Sequence, residues 1–558
     1  MGCNSSKAKL DITSAPAARD TSENEFVEGV VCKVQDINEN EMKTFELDEE
    51  KVLVVKQNGV ISALGSKCTH YGAPLVNGAL GDGRIRCQWH GACFKLATGD
   101  IEDFPGKTIT LPRKGATCGT NAAAFRLGLF ALLQGDDRKR QRESEGAQIG
   151  TIQQQTREAH GKAGGACQRE NRGYRGRALW GHRRRNPATR RLHGPDSAGV
   201  QGKLPALRPS ESEQADGLRD RQGPVPNRPG VAATAVDTAA NTVSLSNGAE
   251  LQYDKLYVAT GCKPRKPNVP GADLKNVRVL KDYDDSAYAF PLLNPDVEIV
   301  VIGSSFIGME AANFCVDKVK SVTVVGRGAV PFRSTWGERI GAAILALFES
   351  KGVKYIANNG IKKINGSGAV SSVELNDGQI LKCDILFCGI GSSYFTDFLK
   401  GSGVELQPDG SIETNEFMQT NVPNVYAGGD IAYAPVWSYH NRKVAIGHYG
   451  LAQYHGRAAA VNMLGKNEPI KAVPYFWTML FGKGFRYAGH GSYDDIIYAG
   501  DVEGLKFMAF FLKEHEVVSV TSCGMDPLVS KFAERLAEDR KLYRSDLQED
   551  PLAWSKAA

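Results

Sequence analysis

Two short loops, each pairing a cysteine with a histidine, set the limits on how this 558-residue chain can fold. One loop, residues 68–70, reads CTH, and the other, residues 87–90, reads CQWH. Thiolate sulfur and neutral imidazole nitrogen are both metal ligands, and each loop offers one of each. Gly72 and Gly91 follow the histidines and permit tight turns that bring backbone N–H groups toward metal-bound sulfur. The pattern predicts a metal centre held between two mixed loops.

Two kinds of metal centre use two cysteines and two histidines. In a Rieske [2Fe–2S] centre the cysteines hold one iron and the histidines hold the other, whereas structural zinc gathers all four ligands tetrahedrally. Zinc fingers usually group their ligands as Cys–Cys and His–His pairs, so mixed loops favour the Rieske centre. Its predicted ligands are Cys68, His70, Cys87 and His90.

The residues around the loops predict an all-β Rieske domain over residues 25–112. Residues 51–64, KVLVVKQNGVISAL, alternate as a hairpin does around Asn58 and Gly59. High-potential Rieske proteins brace their loops with a disulfide, and Ala73 stands where one of those cysteines would be. Ala92 lacks the hydroxyl that raises the potential, so we expect a low-potential cluster.

A dinucleotide-binding fingerprint lies in the middle of the chain. An apolar strand-like run, residues 297–302, leads into GSSFIGME and then into a helical pattern. This strand–turn–helix setting places a pyrophosphate on a helix N-terminus, with Gly303 and Gly308 as the close-approach glycines. Ser305 replaces the middle glycine. The next strand, residues 321–325, ends near Arg327 instead of a carboxylate, which leaves NADH and NADPH both open and accommodates a 2′-phosphate.

Two further strands end in residues suited to a ligand. Residues 256–261 are strand-like and end in a small-residue turn at Thr260 and Gly261. Residues 420–430 are strand-like and end at Asp430. Ligands bind at the carboxyl edge of open α/β sheets, where Asp430 would accept hydrogen bonds from a ribose or ribityl hydroxyl. The alternative for Asp430 is to cap a following helix.

Taken in order, ATG at 259–261, the fingerprint at 303–310 and YAGGD at 426–430 resemble the two-dinucleotide-domain flavoprotein reductases. With the two loop sequences, CTHYGAPLVNGAL and CQWHGACFKLATGDIEDFPG, the chain is most similar to their apoptosis-inducing-factor-like, Rieske-containing branch. The resemblance covers about 25–110 and 231–535. It implies an FAD-binding domain over 231–285 and 391–470, an NAD(P)-binding Rossmann domain over 286–390, and an α+β C-terminal domain over 471–558.

The resemblance also implies roles and a reaction. Asp430 would bind the flavin ribityl chain, while Glu310 and the 303–308 turn would face the nicotinamide nucleotide. Trp477 is expected near the flavin ring, unless it is a packed core tryptophan, and His448 is a weaker flavin neighbour. Hydride passes from NAD(P)H to FAD, and single electrons pass to the cluster and on to an unknown acceptor. Positioning suffices for this chemistry, so no acid–base residue is nominated; a homodimer is also expected.

Residues 113–230 differ in character from the rest. They contain 19 arginines, yet only two isoleucines, two valines, two phenylalanines and one tyrosine, without apolar periodicity. Such a composition favours disorder. It indicates either a segment translated in a wrong frame or through a retained intron, or a basic nucleic-acid-binding arm. The second interpretation supports an alternative function, an apoptosis-linked signalling protein on a redox fold.

The first FAD fingerprint of the resembled family is missing, and its expected place lies inside this segment. GKAGGACQ at 161–168 has glycines but no preceding strand, so it is rejected as a substitute. The polypeptide as written is therefore expected to bind FAD poorly. A further possibility is a degraded product in which only the Rieske module is functional. A Rieske oxygenase is disfavoured, because none of the ten histidines forms a paired motif with an acidic partner.

The N-terminus resembles an acylation signal. Met1-Gly2-Cys3 with Ser6 matches the N-myristoylation pattern at Gly2, and Cys3 offers a site for a second chain. The polar residues 1–24 otherwise predict a flexible tail. The scattered cysteines indicate a reducing compartment, so we expect a cytoplasmic protein, attached to a membrane if acylated; a mitochondrial location is the alternative.

Overall fold

The computed structural model describes residues 31–47, 50–102 and 231–556. The basic segment 113–230 and the acylation motif at Gly2 and Cys3 therefore lie outside the described residues. Strands and helices are numbered in chain order within these ranges.

The N-terminal part is all β, as predicted, and consists of two three-stranded antiparallel sheets. The first contains β1 (Glu41–Leu47), β2 (Glu50–Gln57) and β3 (Val60–Gly65). The second contains β4 (Ala79–Gly81), β5 (Arg84–Arg86) and β6 (Cys93–Lys95). The predicted hairpin is confirmed: β2 and β3 pair across Asn58 and Gly59, which both have positive φ.

The middle of the chain contains a complete nucleotide-binding sheet. Five parallel strands lie in the order β12, β19, β13, β14, β15. They are β12 (Val277–Arg278), β13 (Glu298–Ile302), β14 (Ser321–Val325), β15 (Lys354–Ile356) and β19 (Ile385–Cys388). The helices of this part are α1 (Tyr283–Ala289), α2 (Phe306–Cys315) and α3 (Arg333–Ser350), the last broken at Gly337. The predicted strand, turn and helix around residue 303 are confirmed.

Small sheets flank this domain. Two are three-stranded and antiparallel: β7 (Ala233–Asp237) with β8 (Thr242–Leu245) and β9 (Glu250–Gln252), and β16 (Ile361–Ser367) with β17 (Ala369–Leu375) and β18 (Ile380–Lys382). A third combines β21 (Ile412–Glu413), β23 (Ala432–Val436) and β24 (Arg442–Ala445). Two pairs complete the set: β10 (Leu256–Val258) parallel to β22 (Val425–Ala427), and β11 (Cys262–Pro264) antiparallel to β20 (Ser392–Tyr394).

The C-terminal domain is α+β, as predicted. Its five-stranded antiparallel sheet has the order β25, β26, β29, β28, β27. The strands are β25 (Tyr475–Leu480), β26 (Lys483–Gly489), β27 (Asp495–Asp501), β28 (Lys506–Lys513) and β29 (Glu516–Cys523). Helix α4 (Tyr449–Met463) precedes this sheet and α5 (Leu528–Ala537) follows it.

Helix α5 packs between the Rieske domain and the C-terminal sheet. The amphipathic α5 buries Phe532, Ala533 and Leu536 against the C-terminal sheet and turns Ser530 and Glu534 toward the Rieske loops. This contact places the cysteine–histidine loops over the edge formed by β25 and β26. Among the described residues, no helix has the length and apolar character required to cross a bilayer.

Candidate redox site

The two cysteine–histidine loops are built alike. In the first, the Cys68 N–H donates to the Ala73 carbonyl at 2.8 Å, and the Gly72 N–H donates to the Cys68 carbonyl at 2.8 Å. The second repeats this pattern, from Cys87 to Ala92 at 2.8 Å and from Gly91 to Cys87 at 3.1 Å. Both glycines have φ near +75°, which an L side chain rarely adopts. The hexapeptides CTHYGA and CQWHGA therefore fold as matching hairpin tips.

These tips bring the four predicted ligands together as two pairs. The Cys68 thiol is hydrogen-bonded to the Cys87 sulfur, and the Nδ1 atoms of His70 and His90 are 3.1 Å apart. Both cysteines are buried in the core of the Rieske domain. One pair can thus bind one iron through sulfur and the other pair a second iron through nitrogen.

Local electrostatics prepares these groups to act as ligands. Burial lowers the pKa of His70 to about 4, and burial together with the charges of His70 and Arg486 lowers the pKa of His90 to about 3, so both rings are neutral at physiological pH. The hydrogen bond from Cys68 lowers the pKa of Cys87 to about 7 against the effect of burial, helped by the N–H groups of Trp89 and His90. The hydrogen bond with Cys87, together with burial, raises the pKa of Cys68.

The pairing of like ligands bears on the kind of metal centre. The two sulfurs are hydrogen-bonded to each other, and the two imidazole nitrogens are 3.1 Å apart. A sulfur pair and an imidazole pair fit the two irons of a [2Fe–2S] cluster, with backbone N–H groups already directed at the sulfurs.

The second loop is seated on the C-terminal domain. The Ser530 hydroxyl donates to the Cys87 carbonyl at 3.2 Å, and the Tyr475 hydroxyl donates to the Gln88 carbonyl at 3.4 Å. A methyl group on Gly91 would lie 2.5 Å from the Tyr475 ring, so only glycine allows this approach. The loop that carries His90 is thereby held against β25.

A buried ion pair fixes the same interface. Glu534 is 2 % exposed and accepts hydrogen bonds from Arg86 and, at 2.6 Å, from Arg84 of the Rieske domain. Burial raises the pKa of Glu534, but the charges and hydrogen bonds of Arg86 and Arg84 outweigh it, so the net pKa lies below its usual value of 4.5. Arg86 also donates to the Gly91 carbonyl at 3.0 Å, which ties the pair to the second loop.

Trp477 lies at the cluster ligands. Its ring centroid is 4.1 Å from that of His90 and 6.2 Å from that of His70. The centroid of the His448 ring is 6.0 Å away. Trp477 is half-buried and contacts histidines from two different domains. Its expected place beside the flavin ring stays a prediction.

The nucleotide fingerprint forms the expected cradle. A methyl group on Gly303 would lie 2.2 Å from the Gly389 carbonyl oxygen, and one on Gly308 would lie 1.9 Å from the Gly303 carbonyl oxygen. Strand, turn and helix can therefore approach only through glycine. Ser305 is exposed as the N-cap residue of α2, and Arg327 is exposed just beyond β14. The exposed N-terminus of α2 suits a pyrophosphate.

Glu310, which is expected to face the nicotinamide nucleotide, lies buried at a contact with the C-terminal domain. It is 7 % exposed on α2 and accepts a hydrogen bond from the Thr478 hydroxyl at 2.6 Å. Thr478 follows Trp477 on β25, so Glu310 joins the nucleotide-binding domain to the strand that reaches the cluster.

The residues expected to bind flavin meet where β10 and β22 end. Thr260 donates through its hydroxyl to the Phe395 carbonyl at 2.7 Å, and Gly261 has φ of 70°. Asp430 caps no helix; its carboxylate accepts from the Cys262 thiol and from the Lys281 ammonium, both at 3.2 Å. This cluster of polar groups at the carboxyl edge of a parallel strand pair fits the ribityl side of a flavin.

Several site residues were missed by sequence reasoning. Cys262 directly follows Gly261, so its position gave a usable signal. Lys281, Arg486 and Glu534 had none, because each acts on a group from a distant part of the chain.

Comparison with known proteins agrees with this site. The family model for the Rieske [2Fe-2S] domain matches residues 28–112, and that for pyridine nucleotide-disulphide oxidoreductases matches residues 186–456. Apoptosis-inducing factor 3 from mouse and that from human are each 37% identical to this chain over 566 residues, which span 94% of this chain and 87% of theirs. The crystal structure of a covalent putidaredoxin reductase–putidaredoxin complex aligns with a TM-score of 0.55 at 25% identity, over 58% of this chain and 79% of that one.

Proposed function

Because this chain belongs to the apoptosis-inducing factor 3-like family of Rieske-containing flavoprotein reductases, we propose that its electrons reach the cluster within one polypeptide, at the contact between Trp477 and His90. The chain is an NAD(P)H-dependent oxidoreductase with FAD and a [2Fe–2S] cluster as cofactors. FAD, when bound, takes up hydride as an electron pair and releases single electrons to the cluster. What the protein supplies is position and electrostatics.

The side chains between the two cofactor regions support this proposal. Gly447 lies beside the Asp430 carboxylate, which belongs to the flavin region. The next residue, His448, is the N-cap of α4 and contacts Trp477, whose ring in turn meets His90. A series of neighbouring residues, Asp430, Gly447, His448 and Trp477, therefore leads from the region expected to bind flavin to the predicted ligand His90.

The docking contacts keep this series together. Tyr475 and Ser530 hold the backbone of the second loop, and the Glu534 ion pair holds the strand before it. The electron-donating and electron-accepting parts thus need no diffusional encounter. Since both belong to one molecule, the rate of cluster reduction should not depend on protein concentration.

The test is single-turnover reduction by NADH or NADPH in the Trp477→Leu variant, normalised to bound flavin. We expect flavin bleaching to keep its rate and the appearance of the reduced-cluster electron paramagnetic resonance (EPR) signal to slow severalfold. Trp437→Phe, a tryptophan change in the turn between β23 and β24, serves as the matched control. Equal cluster reduction rates in Trp477→Leu and the parent chain would contradict the proposed path.

We also propose acylation at Gly2 and Cys3, with attachment to the cytoplasmic side of a membrane. The support is the motif alone: glycine at position 2, serine at position 6 and a neighbouring cysteine, giving the two chains that stable anchoring needs. Labelling with clickable myristate and palmitate, with Gly2→Ala and Cys3→Ser as separate variants, tests each site. The expected homodimer stays a prediction, and so does the external electron acceptor.

A further inference from the structure

A buried arginine of the C-terminal domain lies behind the second cluster loop. Arg486 is 7 % exposed and sits on β26 in register with Trp477 of β25. Trp477 contacts His90, and Tyr475 on the same strand contacts Gly91. Residues directly opposite each other on paired strands lie on the same face of a sheet. Arg486 therefore belongs to the surface on which the loop with Cys87 and His90 is seated.

The charge of Arg486 is only partly compensated. Its Nε has no hydrogen-bond partner among the described residues, and one terminal nitrogen donates to the Phe485 carbonyl at 3.3 Å. The other terminal nitrogen is 3.5 Å from the Asp526 carboxylate, whose side chain is 34% exposed. A guanidinium stays protonated in proteins, so a positive charge remains here, with its counter-charge on the side open to solvent.

The neighbouring cations differ from Arg486 in this respect. Arg84 and Arg86 both hydrogen-bond to the buried carboxylate of Glu534. Their shared partner is 2 % exposed and takes up much of their field. Of these three arginines, Arg486 lies farthest from its nearest carboxylate, at 3.5 Å, and that carboxylate is more exposed than Glu534.

Reduction of the cluster creates a charge that such a cation stabilises. In a Rieske centre with neutral imidazoles, the charges of two ferric irons, two sulfides and two thiolates cancel, and one added electron leaves one negative charge. We propose that Arg486 raises the reduction potential of the docked Rieske centre, and that Asp526 opposes it. Opposite charges attract more in a buried, poorly polarisable site than in water, so the burial of Arg486 favours this effect.

One consequence is that docking sets the potential. The Rieske loops contribute the ligands, whereas the tuning cation comes from a strand almost 400 residues later in the chain. The cluster is then a better electron acceptor when it is seated at Trp477 than when it is apart from the C-terminal domain. This inference needs the cluster, but it does not need the electron path proposed above.

The experiment is a mediated dithionite titration of the full-length, cluster-loaded chain, followed by the EPR signal of the reduced cluster. At the parent midpoint, Arg486→Met should lower the ratio of reduced to oxidised cluster about tenfold, which is about 59 mV for a one-electron couple. Arg486→Lys, which keeps the charge, should stay closer to the parent. Asp526→Asn should shift the ratio in the opposite direction, toward the reduced cluster.

These variants separate tuning from a structural role. If the substitutions acted only by loosening the packing, they would reduce the iron content, or they would shift the midpoint potentials of Arg486→Met and Asp526→Asn in the same direction. An unchanged midpoint in Arg486→Met with full iron content would overturn the proposal, as would a lowered midpoint in Asp526→Asn. If Arg486→Met fails to hold its cluster, Asp526→Asn decides: a raised midpoint supports the proposal and an unchanged one overturns it. Because neither nucleotide nor flavin takes part, the result is independent of the Trp477 experiment.

Discussion

At the scale of single residues, the ligand loops show how few side chains a redox site needs. Two sulfurs and two imidazoles provide the bonds, and the nearby backbone N–H groups and the positive-φ glycines set their directions. The residues that adjust the site, Trp477 and Arg486, belong to a different domain. Substitutions in the loops should therefore remove the cluster, whereas substitutions in β25 and β26 should change its behaviour.

Arg327 gives a residue-scale prediction about the nucleotide. It is exposed beyond the carboxyl end of β14, where a 2′-phosphate would lie. We expect Arg327→Ala to weaken NADPH binding about tenfold through loss of one charge-assisted contact, and to leave NADH binding nearly unchanged. Fluorescence titration with both nucleotides measures this.

Lys320→Ala provides the control for that prediction. Lys320 lies just before the same strand, at the end opposite to Arg327, and pairs with Glu298. The Lys320→Ala substitution therefore removes one positive charge from the domain at a distance from the edge where the nucleotide binds. A similar loss of NADH and NADPH affinity in Arg327→Ala would show that Arg327 does not read the 2′-phosphate.

At the scale of elements, α5 determines where the Rieske domain sits. One face of this helix packs on the C-terminal sheet, and the other provides Ser530 to the second loop and Glu534 to β5. A single helix of ten residues thus carries both the hydrophobic anchor and the polar clamp.

Glu534 gives an element-scale prediction with a defined pH dependence. Its folded pKa lies below 4.5 because of Arg86 and Arg84, so its contribution to stability is present above about pH 4.5 and is lost as the pH falls through the folded value. Glu534→Gln leaves the buried Arg86 without a counter-charge and Arg84 with only Glu102, at 3.6 Å, and should cost about 3–5 kcal/mol at neutral pH. Thermal unfolding from neutral to acidic pH should show the difference from the parent shrinking as acid is added.

Glu538→Gln is the matched control on the segment that follows α5. Glu538 accepts a hydrogen bond from the Asp82 backbone N–H and pairs with the exposed Arg540, so loss of its charge at this surface should cost little at any pH. Hydrogen exchange of residues 87–92 should accelerate in Glu534→Gln and not in Glu538→Gln. A pH-independent difference between Glu534→Gln and the parent would contradict the role of the carboxylate charge.

At the scale of the whole molecule, the two nucleotide-binding halves are unequal in the part of the chain that the structure describes. The NAD(P) half has one sheet of five parallel strands, whereas the flavin half shows two separate parallel pairs, β10 with β22 and β21 with β23. The missing FAD fingerprint belongs to residues 113–230, for which the sequence predicts no apolar strand.

The corresponding prediction concerns FAD occupancy. The chain as written should load its cluster and bind nicotinamide nucleotide, but should retain FAD well below one equivalent, because no helix N-terminus is predicted for the flavin pyrophosphate. In the purified protein, iron analysis measures cluster loading, titration measures nicotinamide nucleotide binding, and flavin absorbance measures FAD occupancy. Stoichiometric FAD would show that residues 113–230 provide a fingerprint by other means.

Sequencing the transcript across codons 100–235 would show why the flavin-binding half is less complete than the NAD(P)-binding half. An apolar strand followed by GxGxxG near residue 135 would identify the basic segment as a mistranslated stretch. A transcript that encodes the chain as written would leave a Rieske domain joined by a basic linker to an incomplete reductase.

The sequence by itself determined the local features: the four cluster ligands, the hairpin at Asn58, and the strand–turn–helix at Gly303. Each is encoded within a few dozen residues, where spacing and backbone preference are sufficient. Only the tertiary structure decided that Trp477 meets His90, that Lys281 and Cys262 meet Asp430, and that Arg486 lies behind the cluster loop. These partners are far apart in the chain, and periodicity says nothing about which surfaces of separate domains will pack together.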